Sequence, residues 1–423
     1  MKLTGEQLVE RMTDAERERA RIVESVLPVL REQAVQVDRE GEFHRDHVRT
    51  LSEAGLLGLI IPEEYGGMGG GLRDLAAATF AMGSACPSTA LAYFFHCSAA
   101  SRGLLALGAI DADLFDKDDE PVVRQFAEKV LFTMGRDRKW LANFASESIK
   151  SEKAAITINT TATPVEGGFR LNGVKSFGCA TGVADQYLVT ANLDGYKDAS
   201  GLCTFFIERD ADGVSERERW DALGMRGTAT HGLILENVFV AADEALAIPG
   251  AFARCMQVSR GSFVGNQLAS LAVYAGAAWS LYNATINMLT EKTFADTGKP
   301  IGTSPMHQQL IGEMLVDLES AMLWLRRQLE LETSEPPLLD KQAVVQRWRL
   351  CKGQVAEHGF RLAMTALKCA GTSGTSNSMP YARTLRDMAM ALVQAFPAER
   401  GRLMAAQMEI TESEQPQFGV KAS

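Results

Sequence analysis

The residues able to do chemistry cluster late in the chain. Ala366-Leu-Lys-Cys-Ala-Gly371-Thr-Ser-Gly374-Thr is followed by Pro380-Tyr-Ala-Arg383-Thr-Leu-Arg386-Asp387 and then Ala395-Phe396-Pro397. Gly371 and Gly374 permit close backbone approach to a ligand. Around Ala395 no side chain can take a proton, and Glu399 is the nearest acid. Earlier, Ser259 and Arg260 adjoin, and His96 sits in the apolar stretch Phe94-Phe-His-Cys-Ser98. His96 is either a polar group of a pocket or a satisfied core histidine, and Arg260 either meets substrate or is structural.

Bulk properties remove several classes of function. The chain has 423 residues, 46% hydrophobic and 23% charged, which is enough for two or three domains sharing interfaces. A net charge of −10 leaves no excess of Lys and Arg to neutralise phosphates, so no nucleic-acid partner is expected. The seven cysteines are scattered without CxxC or CxxH spacing and read as reduced thiols, with no metal site. No run of about 18 apolar residues occurs, so no membrane span is expected. The polar start Met1-Lys-Leu-Thr-Gly-Glu-Gln lacks a signal-peptide pattern, which predicts a cytoplasmic protein.

Three regions must position these residues. Residues 1–140 read as a helical domain: helix over 5–54, a glycine-rich loop after the apolar run Leu56–Ile61, two buried helices over 72–107, and a further helix before Arg138. Residues 141–245 read as a small β domain. Alternation over 155–162 and 233–240 predicts strands, and Glu166-Gly-Gly, Asn172-Gly173, Asp194-Gly195 and Asp212-Gly213 predict turns. Residues 246–423 return to Ala/Leu/Met patterns over 256–291, 306–331, 341–368 and 381–407, predicting a four-helix bundle. The fold expected is mainly α with a central β barrel or sandwich.

Four segments resemble the acyl-CoA dehydrogenase superfamily of flavoproteins, in the family's order and over nearly the whole chain. They are Leu51-Ser-Glu-Ala-Gly-Leu-Leu-Gly-Leu-Ile-Ile-Pro-Glu-Glu-Tyr-Gly-Gly67; Gly168-Phe-Arg-Leu-Asn-Gly-Val-Lys175 with Ala184-Asp185; Leu223-Gly-Met-Arg-Gly-Thr228 with Glu236-Asn-Val-Phe-Val240; and the Gly371/Gly374, Arg383/Arg386-Asp387 segment. Asn-Gly-x-Lys alone is only a hairpin turn; four segments in register are specific. The resemblance implies FAD (FMN being possible) between the β domain and the bundle. It also implies a homodimer or homotetramer in which a neighbouring subunit completes each flavin site.

Residue by residue, the resemblance places the Ser146 hydroxyl and backbone at the isoalloxazine, in Ala145-Ser146-Glu147. Phe177 and Cys179 fall where relatives have Trp and Thr or Ser, so Phe177 packs on the ring and Cys179 offers flavin N5 a weak partner. Read without the resemblance, both are strand residues filling core. On the pyrophosphate side Phe294, Gln308, Gly371 and Gly374 match, but Glu291 stands where relatives carry a phosphate-gripping Arg. Lys368, in place of a Gln, partly restores that charge.

The family base is a carboxylate that removes an acyl thioester α-proton as the β-hydrogen leaves as hydride. Its position here is Ala395, and a second known location is Ser259, beside the substrate-pocket candidate Arg260. Glu399 and His96 are the remaining candidates. The implied function is an FAD-dependent acyl-CoA dehydrogenase-like oxidoreductase acting on an acyl-CoA or other thioester, with electron-transfer flavoprotein as partner. The alternatives are a two-component flavin monooxygenase on the same fold, fed by a reductase, and a base-lacking subunit of a hetero-oligomer.

Overall fold

The computed structural model describes residues 2–149, 156–259, 267–411 and 418–420. Amphipathic period builds the first helix, α1 (Asp14–Glu40), which buries Val23, Val26, Leu27, Leu30, Ala34 and Val37 on one stripe. At its start the Thr13 hydroxyl accepts the Glu16 N–H, and the Glu16 carboxylate accepts the Thr13 N–H at 2.7 Å. After α2 (Arg45–Glu53), the helices α3 (Leu72–Ala85) and α4 (Pro87–Ala99) are apolar on nearly every side and form the domain's centre. Where two helices were expected over 72–107 there are three. Cys86 is extended, Pro87 starts α4, and α5 (Ser101–Asp111) follows as a separate helix. Helix α6 (Glu120–Met134) closes the N-terminal region.

The middle region is one curled eight-stranded sheet. Its strands are β1 (Leu141–Phe144), β3 (Thr161–Val165), β4 (Gly168–Lys175), β5 (Gln186–Leu193), β6 (Leu202–Glu208), β7 (Val214–Glu216), β8 (Leu233–Ala241) and β9 (Ala245–Leu246). They are ordered β7-β8-β4-β3-β5-β6-β9, with β1 added parallel to β5. The short β2 (Ile156–Ile158) pairs instead with β10 (Phe418–Val420). Asn172-Gly173 is not the turn its dipeptide suggests. It is an irregularity within β4, where a side chain at Gly173 would meet Thr160 Oγ1 at 2.4 Å and where Asn172 Oδ1 accepts the Asn237 N–H at 2.8 Å. The strand bulges because β3 and β8 crowd it from both sides.

The C-terminal helices are α7 (Ala251–Gln257), α8 (Leu268–Glu291), α9 (Pro305–Thr333), α10 (Lys341–Ala370), α11 (Pro380–Ala391) and α12 (Ala398–Thr411). The single helix expected over 381–407 is broken at 392–397. Pro397 lacks an N–H and biases Phe396 away from helix, while Ala395 takes a left-handed φ of 62°. The break includes Ala395, the position at which the resemblance implies a carboxylate base.

The three regions meet at one seam. Asp387 Oδ1 accepts the Met225 N–H at 2.6 Å. Next to it, Arg386 donates to both Asp38 oxygens at 2.8 and 2.5 Å and to Leu223 O at 3.2 Å. Arg226 reaches Asp38 O from the other side at 3.0 Å. Gly224 lies so close that a side chain there would come within 2.1 Å of Arg386 O. The motif residues Leu223–Arg226 and Arg386-Asp387 are thus parts of a single junction.

Burial pushes Asp387 up to about 6, against the Met225 N–H and the nearby Arg383. A raised carboxylate pKa means the unfolded chain releases its proton first, so this group's contribution falls as pH rises from about 4 to about 6. Asp387→Asn keeps an oxygen for Met225 and removes the titration, so chemical denaturation should show the variant gaining on wild type across that window. Asp387→Ala leaves the Met225 N–H unpaired and should destabilise by about 2–4 kcal/mol at neutral pH. A parallel pH dependence for wild type and Asn variant would contradict the account.

Candidate active site

At the end of β1 the Phe144 ring lies against Gly178, where a side chain would come within 1.9 Å of it. The chain therefore crosses that ring only with glycine there. Phe177 is held left-handed (φ 60°) and turned outward, 57% exposed, with Trp220 edge-on at 6.2 Å. Cys179 turns inward and is buried. The Ser146 carbonyl accepts the Ser176 N–H at 2.9 Å. Ser146, Phe177 and Cys179 are thus brought to one place. Among the described residues no hydrogen bond engages the half-buried Ser146 hydroxyl.

A relay of hydroxyls fixes where the Cys179 proton points. Thr228 Oγ1 donates to Met225 O at 2.9 Å and lies 2.7 Å from Thr230 Oγ1, which lies 3.1 Å from Cys179 Sγ. Each hydroxyl has one hydrogen, so Thr230 donates to Thr228, and the thiol donates to Thr230. Burial pushes that thiol up to about 12. Its proton is committed inward and toward the seam.

Two further pairs were not legible as site residues. Lys175 is completely buried, with Nζ 2.7 Å from Glu147 Oε1. The Glu147 carboxylate also accepts the Asn159 N–H, the Thr160 N–H and the Thr160 hydroxyl at 2.7–2.9 Å. Burial brings Lys175 down to about 8, with Glu147 opposing. The lysine of the strand motif and the glutamate of the Ser-Glu step are one ion pair, and it anchors the residue after Ser146. In α8 the buried Tyr274 donates to Gln394 Oε1. Burial raises Tyr274 well above its usual value, with Asp387 and the Cys179 thiol close enough to add to the shift. Of the 392–397 break, Gln394 therefore meets the core while Ala395 is exposed. The sequence signal was a tyrosine in an Ala/Leu/Val helix and an amide beside the vacant base position.

The candidate bases fare differently. His96 is fully buried with both ring nitrogens used: Nε2 on Leu57 O at 2.9 Å, Nδ1 accepting the Leu141 N–H at 3.0 Å. That fixes a neutral tautomer donating from Nε2, and burial lowers the group to about 4. It pins α4 to β1 and is no proton acceptor. Glu399 points to solvent, paired with Arg402 at 3.2 Å, where no apolar pocket surrounds it. Ala395 has no group to act. Ser259 is buried, and Arg260 lies outside the described residues.

The pyrophosphate-side residues stand apart. Gln308, Lys368 and Gly371 are exposed, Phe294 is half-buried and Gly374 buried beside Tyr381. No hydrogen bond joins them to Ser146, Phe177 or Cys179 among the described residues. Glu291 is exposed beside them at the end of α8. A cavity of about 650 Å³ is lined by Arg45, Arg217, Arg219 and His231 with Glu42 and Glu216, and by Thr181 and Ala229 near Cys179 and Thr228 in the chain. Arg217 ties its wall to the site by donating to Ser176 Oγ at 2.8 Å.

Comparison with known proteins places this architecture. Models of the acyl-CoA dehydrogenase N-terminal, middle and C-terminal domains match residues 14–111, 144–238 and 268–396. The chain belongs to the acyl-CoA dehydrogenase family. It is 26% identical to mitochondrial isovaleryl-CoA dehydrogenase of Solanum tuberosum, covering 88% of this chain and 84% of that one. It is 25% identical to the amino sugar nitrososynthase DnmZ of Streptomyces peucetius, covering 90% of each. Among solved structures, KijD3 in complex with FMN and a dTDP-3-amino-4-keto sugar superimposes with a TM-score of 0.80 at 22% identity, over 98% of each chain.

All seven cysteines are buried and free. Native protein should therefore react negligibly with a thiol reagent such as Ellman's, and all seven should titrate in denaturant. Rapid native labelling of Cys179 would contradict the inward-committed thiol.

Proposed function

We propose that this chain is a flavin-dependent oxidoreductase that does not begin by abstracting an α-proton, and that it works as a monooxygenase supplied with reduced flavin. One observation carries the reading. The break that should hold the base presents an exposed Ala395 and a half-buried Gln394 amide held by Tyr274, and the nearest acid, Glu399, is turned to solvent. Asp387 has a raised pKa, but its oxygen is occupied at the domain seam.

The residues fit a flavin ring. Ser146 supplies an unengaged hydroxyl and Phe177 an outward aromatic face. Cys179, its hydrogen donated to Thr230, can only accept from the ring edge. Reduced flavin with oxygen supplies an electrophilic oxygen atom. Overall, one oxygen atom enters the substrate, the other leaves as water, and the flavin's two electrons are consumed. The chain's own work is to exclude water and hold substrate: His96 stays neutral in the wall, and Lys175–Glu147 fixes the strand that carries Ser146. Glu291 in place of a phosphate-gripping arginine disfavours the FAD pyrophosphate, which supports FMN over FAD. The separation of Phe294, Gln308, Lys368 and Gly371 from Ser146 supports a site completed by a second copy of the chain. Exposed Met306, Val316 and Leu323 on α9 offer apolar surface for that assembly. A reductase is the partner the reaction needs.

Flavin content and redox behaviour test the proposal. Anaerobic mixing of flavin-loaded protein with an acyl-CoA panel should leave the flavin absorbance unbleached. Ala395→Glu should introduce acyl-CoA-dependent bleaching. Bleaching of the wild type would return the chain to the dehydrogenases. Cys179→Thr should shift the bound-flavin spectrum, and an unchanged spectrum would remove Cys179 from the ring.

A further inference from the structure

Arg102, in α5, is only 8% exposed and makes no ion pair among the described residues. Its partners are neutral and distant. Nη2 makes both bonds, to Thr190 Oγ1 at 3.3 Å and to Asn143 Oδ1 at 3.5 Å, and Nε is buried with no partner. The Phe252 ring of α7 lies over the guanidinium, 4.8 Å from its carbon. Burial lowers the group only to about 10, so it is charged at neutral pH.

The same guanidinium edge behaves differently elsewhere in the molecule. Arg19 grips Asp74 through Nε at 2.7 Å and Nη2 at 3.2 Å, and Arg73 grips Glu16 at 2.6 and 3.3 Å. On Arg102 that Nε–Nη2 fork, matched in shape to a carboxylate, carries two long neutral contacts and one unfilled donor. Burying a charge without a counter-ion is strongly unfavourable. The Lys175–Glu147 pair does not supply one, because the Glu147 oxygens are taken by Lys175, Thr160 and the backbone. Phe252 covers the guanidinium face and leaves the in-plane edge to Asn143 and Thr190. Asn143 lies on β1, which leads directly to Ser146, and Phe252 lies on α7, which leads to Ser259.

We propose that Arg102 is an anion-recognition residue that takes a carboxylate on its Nε–Nη2 edge, so that the substrate bears a carboxylate remote from the atom that is oxidised. The anion site stands on the geometry of Arg102 alone. Its assignment to the oxidised substrate rests on the oxidoreductase reading above.

The test uses the flavin-loaded protein and two probes of equal size, sodium propionate and propionamide, with sodium chloride as the ionic control. Propionate should raise the thermal unfolding midpoint, and propionamide and chloride should not. Arg102→Gln should abolish the propionate effect while raising the midpoint without ligand, and Arg102→Lys, which keeps charge but loses the fork, should weaken the effect. A propionate response that survives Arg102→Gln, or equal responses to the two probes, overturns the site. Separately, an acyl-CoA ending in a carboxylate should bind more tightly than the methyl-ended one of equal length, with Arg102→Gln reducing that preference about tenfold or more. Propionate binding through Arg102 without such a preference would retain the anion site and overturn its assignment to the oxidised substrate.

Discussion

The contact on which the structure depends is the buried seam where Asp387 accepts the Met225 N–H while its neighbour Arg386 clasps Asp38. It joins a helix of the C-terminal bundle, a turn of the β domain and the first long helix. A charged aspartate here would be costly to bury. The backbone N–H and the flanking Arg383 and Arg386 make the burial tolerable and fix the carboxylate in one geometry. Because that geometry sets the Met225 turn, it also sets Thr228 and Thr230, and through them the direction of the Cys179 thiol. A stability element and a site element are therefore continuous.

Much of the architecture was legible because it follows from period and from motif order. The amphipathic α1, the largely apolar α3 and α4 and the alternating β8 announce themselves by residue spacing. The break at 392–397 was not legible, since Ala and Gln are good helix formers and only Pro397 argued against continuation. Asn172-Gly173 misled for a related reason. The dipeptide has the freedom for a turn, but crowding by Thr160 uses that freedom for a bulge within the strand.

The site was legible in part, and the division is physical. Ser146 and the Phe177–Cys179 segment are neighbours through the Ser176 N–H to Ser146 carbonyl bond, but the Phe177 side chain faces outward and the Cys179 thiol inward. His96 was ambiguous because sequence cannot show two backbone groups closing on its ring. Lys175 with Glu147 and Tyr274 with Gln394 join residues far apart in sequence, and only the fold makes them pairs. Arg102 reads as an ordinary helix arginine until its burial, and its lack of a counter-ion among the described residues, are seen.

We propose that the described residues of this family member include no proton-abstracting base. The direct measurement is exchange of acyl-CoA α-protons in deuterium oxide, followed by NMR with flavin-loaded protein, and it needs no net oxidation. The account predicts no exchange above the uncatalysed rate for wild type and exchange for Ala395→Glu. Rapid exchange by the wild type would contradict it and would require a base outside the 392–397 break.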